Sequence, residues 1–255
     1  MKFGVQTFTI RKAQKKSITS AYLPLIKLGI KSFEVARIDL NKKNAYELKR
    51  LADEYGVEIS AIQVKPKYVF EAREDIVDFC RITNCKRVII SMLPFNCILG
   101  GEENFYSFIS TLDEQFELYE REGITLGYHH HNWEYVKLSN GKRRMDELID
   151  KTEKIRFVHD TYWTAKSGIE PRAQIERFGA RLLGIHLRDL TFKKRGISVI
   201  GVDTFVGDGV IDFADVLRAA SEVGCGYYVI EQKTATPYRD VEKSFNTLNA
   251  IKFEE

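Results

Sequence analysis

ITLGYHHHNWEY, Ile124 to Tyr135, runs an apolar segment straight into three consecutive histidines, in a chain that has only five. A purification tag would sit at a terminus, whereas this run lies mid-chain behind a segment that reads as a buried strand. The same outline, a short β-rich run closed by a polar residue, recurs along the chain. The other copies are KFGVQTF (2 to 8), KSFEVA (31 to 36), VEISAIQV (57 to 64), KRVIISM (86 to 92), IRFVHD (155 to 160), LLGIHLRD (182 to 189) and YYVIEQ (227 to 232). With ITLGYHH (124 to 130) they make eight. Between them lie amphipathic segments such as AYELKRLADEYG (45 to 56), whose Leu48, Leu51, Ala52 and Tyr55 fall at helical spacing before a stopping Gly56. SITSAYLPLIKLG, FYSFISTLDEQFELYEREG and FADVLRAASEVG end in glycine in the same way. Strand and helix therefore alternate without a linker or a break in composition. Eight such units in 255 residues predict an α/β fold, a (β/α)8 TIM barrel, which occupies about 250 residues as one domain. An open doubly wound sheet has fewer strands and a Gly-rich turn after the first, and the TIRKAQKKS that follows GVQTF has no such turn. A single domain over residues 1–255 is expected.

The composition agrees with a soluble globular chain: 44% hydrophobic, 29% charged, and a net charge of only +3. Lys interleaves with Glu, which gives no electrostatic reason to expect a nucleic-acid partner, while a small anionic substrate stays compatible. Cys80, Cys85, Cys97 and Cys225 lack the C-x-x-C spacing of a zinc site and read as reduced thiols. The MKFGVQTFTI start leads directly into a strand, and no stretch approaches the ~18 apolar residues of a membrane span. A cytoplasmic protein without membrane partners is expected.

In such a barrel, chemistry belongs at the C-terminal ends of the strands. Each expected strand end carries a polar residue: Gln6, Glu34, Gln63, Ser91, His129, Asp160, His186 and Glu231. Period-two alternation then decides which side chains face the axis. Leu126 and Tyr128 read as outward, so Gly127, His129 and His131 point inward and His130 away. In LLGIHLRD, Leu183, Ile185 and Leu187 are assigned outward and Gly184, His186 and Arg188 inward. Asp160 and Glu231 are assigned inward against Val158 and Ile230. His159 is read as structural. One ring could then hold two imidazoles and two carboxylates, a donor set that suits Mn²⁺, Co²⁺, Mg²⁺ or Zn²⁺ with open positions for substrate oxygens. Each residue also has a plain reading. A strand-end histidine can be a hydrogen-bonded core residue, Asp160 can cap the helix that begins at Thr161, and Glu34 or Glu231 can be half of a buried ion pair.

GYHHHNWEY, FVHDTYWTAKSGIEP, LLGIHLRDL, VGDGVIDF and YYVIEQ resemble the xylose isomerase-like TIM barrels of the sugar phosphate isomerase/epimerase superfamily. They parallel that family's GYHNHxxEF, LDxYWxxxxGxDP, xxHxKD, GxGxxDF and last-strand glutamate, over about residues 120 to 235. His130 stands where Asn is frequent, as in the inositol-degrading dehydratase branch, and Glu170 stands where Asp is usual before Pro171. The resemblance implies a metal, Mn²⁺ first, held by His129 or His131 with Asp160, His186 and Glu231. It implies proton abstraction next to a carbonyl, with Glu231 and Glu34 as the first candidate bases and His131 as the next. Gln63, Trp163, Arg188 and Lys65 are candidate substrate contacts. Trp163 offers a flat wall, and Arg188, Lys65 and Arg37 suit a phosphate or carboxylate.

The first function implied is a metal-dependent isomerase or epimerase of a small keto- or aldo-sugar, phosphorylated or not. The alternative is a lyase or dehydratase on a keto-sugar, of the inosose-dehydrating or 3-keto-glycoside β-eliminating kind. His129, standing where ketohexose epimerases carry a glutamate, leans towards it. A non-catalytic sugar-binding barrel is a third reading. The apurinic-site endonucleases that share the barrel need more histidines, and here none precedes His129 and Trp163 occupies the position three after Asp160. A small-molecule sugar is the expected partner, and the resemblance leaves room for a homodimer.

Overall fold

The eight apolar runs become eight parallel strands in the computed structural model, which describes residues 1–196 and 198–252. They are β1 (Phe3–Gln6), β2 (Ser32–Val35), β3 (Glu58–Val64), β4 (Arg87–Ile90), β5 (Thr125–His129), β6 (Arg156–Asp160), β7 (Leu182–Leu187) and β10 (Tyr227–Ile230). Each pairs in parallel with its neighbours, and β10 closes the barrel against β1. The expected TIM barrel is therefore the fold. The helices form where the sequence offers both caps and a stripe. In Lys42–Tyr55 the Asn41 side chain accepts from the Asn44 N–H, Leu48 and Leu51 are buried, and Gly56 ends the helix at φ 63°. The segment beginning at FYSFIS is two helices rather than one, Glu102–Ser110 and Leu112–Glu120. Among the described residues no helix is long and apolar enough to cross a membrane.

The stretch from Thr191 to Gly207 is largely a β-hairpin of β8 (Asp189–Arg195) and β9 (Ser198–Thr204) inserted after β7. Its root is fixed by Asp189. This buried carboxylate accepts backbone N–H groups from Leu190, Gly207, Gly209 and Ile211, so the VGDG turn wraps around one side chain.

Two apolar cores result. A large one lies between strands and helices and includes Leu126, Tyr128, Phe157, Ile185 and Ile230. A small one fills the barrel: Ala61, Ile89, Val158, Tyr227 and Val229, with Leu183 against them. Strict alternation placed Val158 and Leu183 outward, and both are inside. Val158 is two residues from Asp160 and must share its face. Leu183 turns in because β6 and β7 change register between Phe157 and Val158, which leaves it as the extra residue of a bulge.

Gly184 and Tyr227 connect this inner core to the layer above. A Cβ at Gly184 would lie 2.3 Å from the Tyr227 ring, so the glycine leaves the room in which that ring lies. Gly184→Ala is expected to lose roughly 1–3 kcal/mol by overpacking, read as a lower denaturant midpoint. An unchanged midpoint would mean that the ring is free to shift.

Candidate metal centre

His129, Asp160, His186 and Glu231, from the ends of β5, β6, β7 and β10, are all buried. Each offers one ligand-type atom, and these atoms lie within 4.8 Å of one another. Their neighbours decide how each side chain is presented. His129 Nδ1 donates to the Ser91 carbonyl oxygen at 3.2 Å, which leaves Nε2 as the lone-pair nitrogen, 3.5 Å from Asp160 Oδ2 and without a hydrogen-bond partner. His186 Nε2 donates to Glu34 Oε1 at 2.9 Å. Its Nδ1 stands 2.9 Å from Glu231 Oε2 and 4.0 Å from Asp160 Oδ2. The close pair is out of hydrogen-bond alignment, and both of its atoms are without a partner of that kind. Asp160 divides its work: Oδ1 caps the next helix by accepting from the Trp163 N–H at 3.0 Å, and Oδ2 faces the cluster. The capping and ligand readings of Asp160 are thus compatible.

The charges favour a cation. Arg188 is the one guanidinium that pairs with Asp160, Asp203 and Glu231, and a fourth carboxylate, Glu34, is held by His186. With the histidines neutral this leaves an excess of three negative charges in a water-poor space, which is costly. The site compensates by protonating an imidazole. Burial pushes the His186 pKa down, but Glu34 and Glu231 outweigh it and hold it up at about 10. Burial likewise opposes ionisation of Asp160 and Glu231, and the Arg188 charge overrides it, taking Asp160 well below the usual carboxylate range and Glu231 to about 2. A divalent ion would supply the missing charge in place of the Nδ1 proton, and the mixed nitrogen and oxygen donors suit one.

The other histidines separate cleanly. His130 faces the helices against Phe178 and Tyr135, and its Nε2 accepts the Asp160 N–H at 3.0 Å. His159 Nδ1 lies 3.3 Å from the same nitrogen. Burial first, then neighbouring imidazoles, keep His130 well below the ordinary histidine range, and burial takes His159 to about 3. His131 is half-buried, sets its ring edge-on to His129 at 4.8 Å, and leaves Nδ1 without a partner. Burial first, and then the neighbouring His129 imidazole, push it to about 3.

Of the remaining candidates, Glu34 is the one whose surroundings differ most from the sequence reading. Both of its oxygens are engaged, Oε1 by His186 and Oε2 by the Tyr227 hydroxyl at 2.6 Å. Arg188 Nη1 reaches Asp160 Oδ2 at 3.0 Å and Glu231 Oε1 at 3.3 Å, while its other nitrogens hold Asp203 on β9. Trp163 is half-buried beside His131 at 5.4 Å. Gln63 accepts from Gln6 Nε2 at 3.1 Å and leaves its own Nε2 unpartnered. Lys65 is exposed at the start of the helix Pro66–Glu71, outside the cluster. Sequence reasoning missed Tyr227 and Asp203. Alternation from Glu231 through Val229 reaches Tyr227, so that signal was present, whereas nothing in the hairpin sequence singles out Asp203.

A profile of the xylose isomerase-like TIM barrel family matches residues 25–251. An inosose dehydratase of Geobacillus thermodenitrificans is 27% identical over 144 residues, 51% of this chain and 47% of that protein. The matched region spans about half the length of such curated relatives. Among solved structures, a sugar phosphate isomerase/epimerase from Parabacteroides distasonis superposes with a TM-score of 0.79 at 19% identity, covering 98% of this chain and 93% of that one. The IOLI protein with a bound zinc atom gives 0.67 at 15% identity, over 97% and 96%.

The geometry predicts a split among the histidines. His129→Ala and Glu34→Gln should each weaken Mn²⁺ binding by about 10–100-fold, as loss of a ligand or of its orienting carboxylate does. His131→Ala should leave it nearly unchanged. Competition against a chelating dye measures all three, and a large loss in His131→Ala would put that ring among the ligands.

Proposed function

The chain belongs to the xylose isomerase-like TIM barrel family, and we propose that within it the protein is a metal-dependent lyase that removes water from a small keto-sugar or keto-polyol. The observation that carries this reading is the pair of imidazoles at the end of β5. His129 has its free nitrogen in the cluster, while His131 has an unpartnered nitrogen at its edge. An epimerase of the two-carboxylate kind needs a second base on the opposite face of the substrate. Glu34 is held on both oxygens, and Glu231 is shared between Arg188 and the cluster. His131 is the free base.

A divalent ion held by His129 Nε2, Asp160, His186 Nδ1 and Glu231 would supply Lewis acidity to the substrate carbonyl oxygen. The protein's own groups do the rest. His131, whose Nδ1 has no partner, takes the proton from the carbon next to the carbonyl. The electron pair left there expels hydroxide from the adjacent carbon, and the proton on His131 passes to it, so that water leaves and an unsaturated ketone remains. Trp163 walls one face of the space beside His131. Arg188 keeps Asp160 and Glu231 ionised as donors. The inosose dehydratase relatives support the reading. The isomerase or epimerase outcome is the second reading, favoured by the names of structural neighbours.

Incubation of the Mn²⁺-loaded protein with inososes and ketoses in D₂O separates the two. A lyase gives a dehydrated product, and an epimerase gives a stereoisomer carrying solvent deuterium at one carbon. Chelation should abolish turnover. His131→Ala should lower kcat by about 10²–10⁴ with Mn²⁺ affinity kept. Appearance of stereoisomers alone would sink the lyase reading.

A further inference from the structure

Beside the metal centre, at the C-terminal ends of β2, β3 and β4, lies a concavity of about 480 Å³. Ser91 joins it to the centre, since its carbonyl oxygen holds His129 Nδ1, and Gln63, whose Nε2 is buried and unpartnered, lines it too. Lys15, Arg37 and Lys65 line it as well. Among the described residues none of these three cations has a carboxylate oxygen within 4.0 Å. Asp39 and Asp75 also line it and are equally outside any ion pair, so the concavity carries one positive charge in excess.

Arg37 has a second distinguishing feature. Its backbone sits at φ 61°, in the left-handed region that a side-chain-bearing residue adopts at a cost. The other non-glycine residue at positive φ is Asn84, which ends a helix and belongs to a type that tolerates this conformation. Arg37 ends no helix. Its strand, β2, has delivered Glu34 to His186 three residues earlier, and the left-handed turn follows directly. The guanidinium lies 5.5 Å from the Phe8 ring, which Arg11 also approaches at 3.9 Å. Two guanidiniums therefore share one aromatic ring. Strain held at a cation that faces a cavity and has no carboxylate partner points to a ligand that uses that cation.

We propose that this concavity binds the oxyanion, a phosphate or a carboxylate, of a substrate whose carbonyl end meets the metal centre. Arg37 is its principal contact, with Lys15 and Lys65 adding charge from either side. Gln63 and the Ser91 hydroxyl lie on the path between the two ends, as neutral donors for substrate hydroxyls. Asp39 and Asp75 keep the excess charge small, which suits a single anionic group. The inference deepens the sugar-processing reading and rests on it, for it makes the substrate an anionic sugar or polyol rather than a neutral one.

The test uses short probes that reach the concavity without needing carbonyl chemistry: glycerol 3-phosphate, glycerate and glycerol, titrated calorimetrically into the full chain with and without Mn²⁺. At least one anionic probe is expected to bind about tenfold or more tightly than glycerol, and the tighter of the two identifies the oxyanion. Arg37→Gly is the informative variant, because glycine is the residue best suited to φ 61° and the fold is retained or stabilised when the guanidinium goes. It should keep or raise the melting temperature, lose about tenfold in affinity for the anionic probe and leave Mn²⁺ affinity unchanged. Arg37→Lys should recover part of the loss. Equal binding of glycerol and both anions, or an Arg37→Gly protein that binds them as the parent does, overturns the proposal. The metal reading fails separately, in a protein that binds glycerol 3-phosphate but not Mn²⁺, and that result leaves the oxyanion subsite standing.

Discussion

The contact between His186 and Glu34 crosses the barrel from β7 to β2 and joins residues 152 positions apart in the chain. Both side chains are fully buried, so neither can fall back on water if the other is missing. A buried carboxylate without a partner costs several kcal/mol. Glu34 avoids that cost with two donors, His186 of the metal cluster and Tyr227 from within the barrel. Through that pairing one imidazole has its Nε2 proton fixed and its Nδ1 turned to the cluster. The donor arrangement of the other three residues has meaning only around that nitrogen. Gly184 belongs to the same arrangement, because its missing side chain leaves room for the Tyr227 ring whose hydroxyl completes the Glu34 shell.

Arg188 plays the complementary part. Its guanidinium reaches two cluster carboxylates on one side and Asp203 of the hairpin on the other, and it packs over Tyr162 and Trp163 at 4.7 and 5.4 Å. The hairpin is thus tied at its base to the residues that define the site. In its far portion Phe192 and Val199 are exposed. The anchored root follows from where the charged residues sit: Arg188 precedes the hairpin, Asp189 begins it, and Asp203 returns beside Arg188. Asp189, with four backbone N–H groups on its carboxylate, fixes the exit of the segment just as Arg188 fixes its return.

Much of this was legible in the sequence, for a physical reason. A barrel strand is buried on both faces and shows its identity as an apolar run, and the single polar residue that ends it is conspicuous against that run. The polar ends of His129, Asp160, His186 and Glu231 were readable in this way, and parity separated His130 from its neighbours. Parity failed at Leu183, where a bulge adds one residue and shifts the face. Local sequence carries no mark of a bulge that arises from the pairing of two distant strands. The hairpin was hidden for a related reason: TFKKRGISVIGVDTF has neither the alternation of a half-buried strand nor a short Asn-Gly turn, because both of its faces are largely solvated. The roles of Glu34 and Asp203 could not be assigned from one chain, since each depends on which cation lies across a space that only the fold creates.

The two parts of the site obey opposite constraints. In the cluster, excess negative charge is buried and His129, Asp160 and His186 are each oriented by a second partner, Ser91, the Trp163 N–H and Glu34, so the donors stay aligned whether or not a ligand is present. In the adjoining concavity the charges are positive in excess, exposed and unpaired, and Arg37 holds its left-handed backbone there. Rigid support suits a step that depends on atomic alignment, because misplacement by about 1 Å is costly for catalysis. Open, unpaired cations suit recognition, because an internal ion pair would have to break before an anion could bind. Placing both at strand ends of one barrel allows β2 to serve the two needs in succession, with Glu34 turned inward to fix His186 and Arg37 turned out into the cavity. The left-handed turn at Arg37 is where the strand changes from one task to the other.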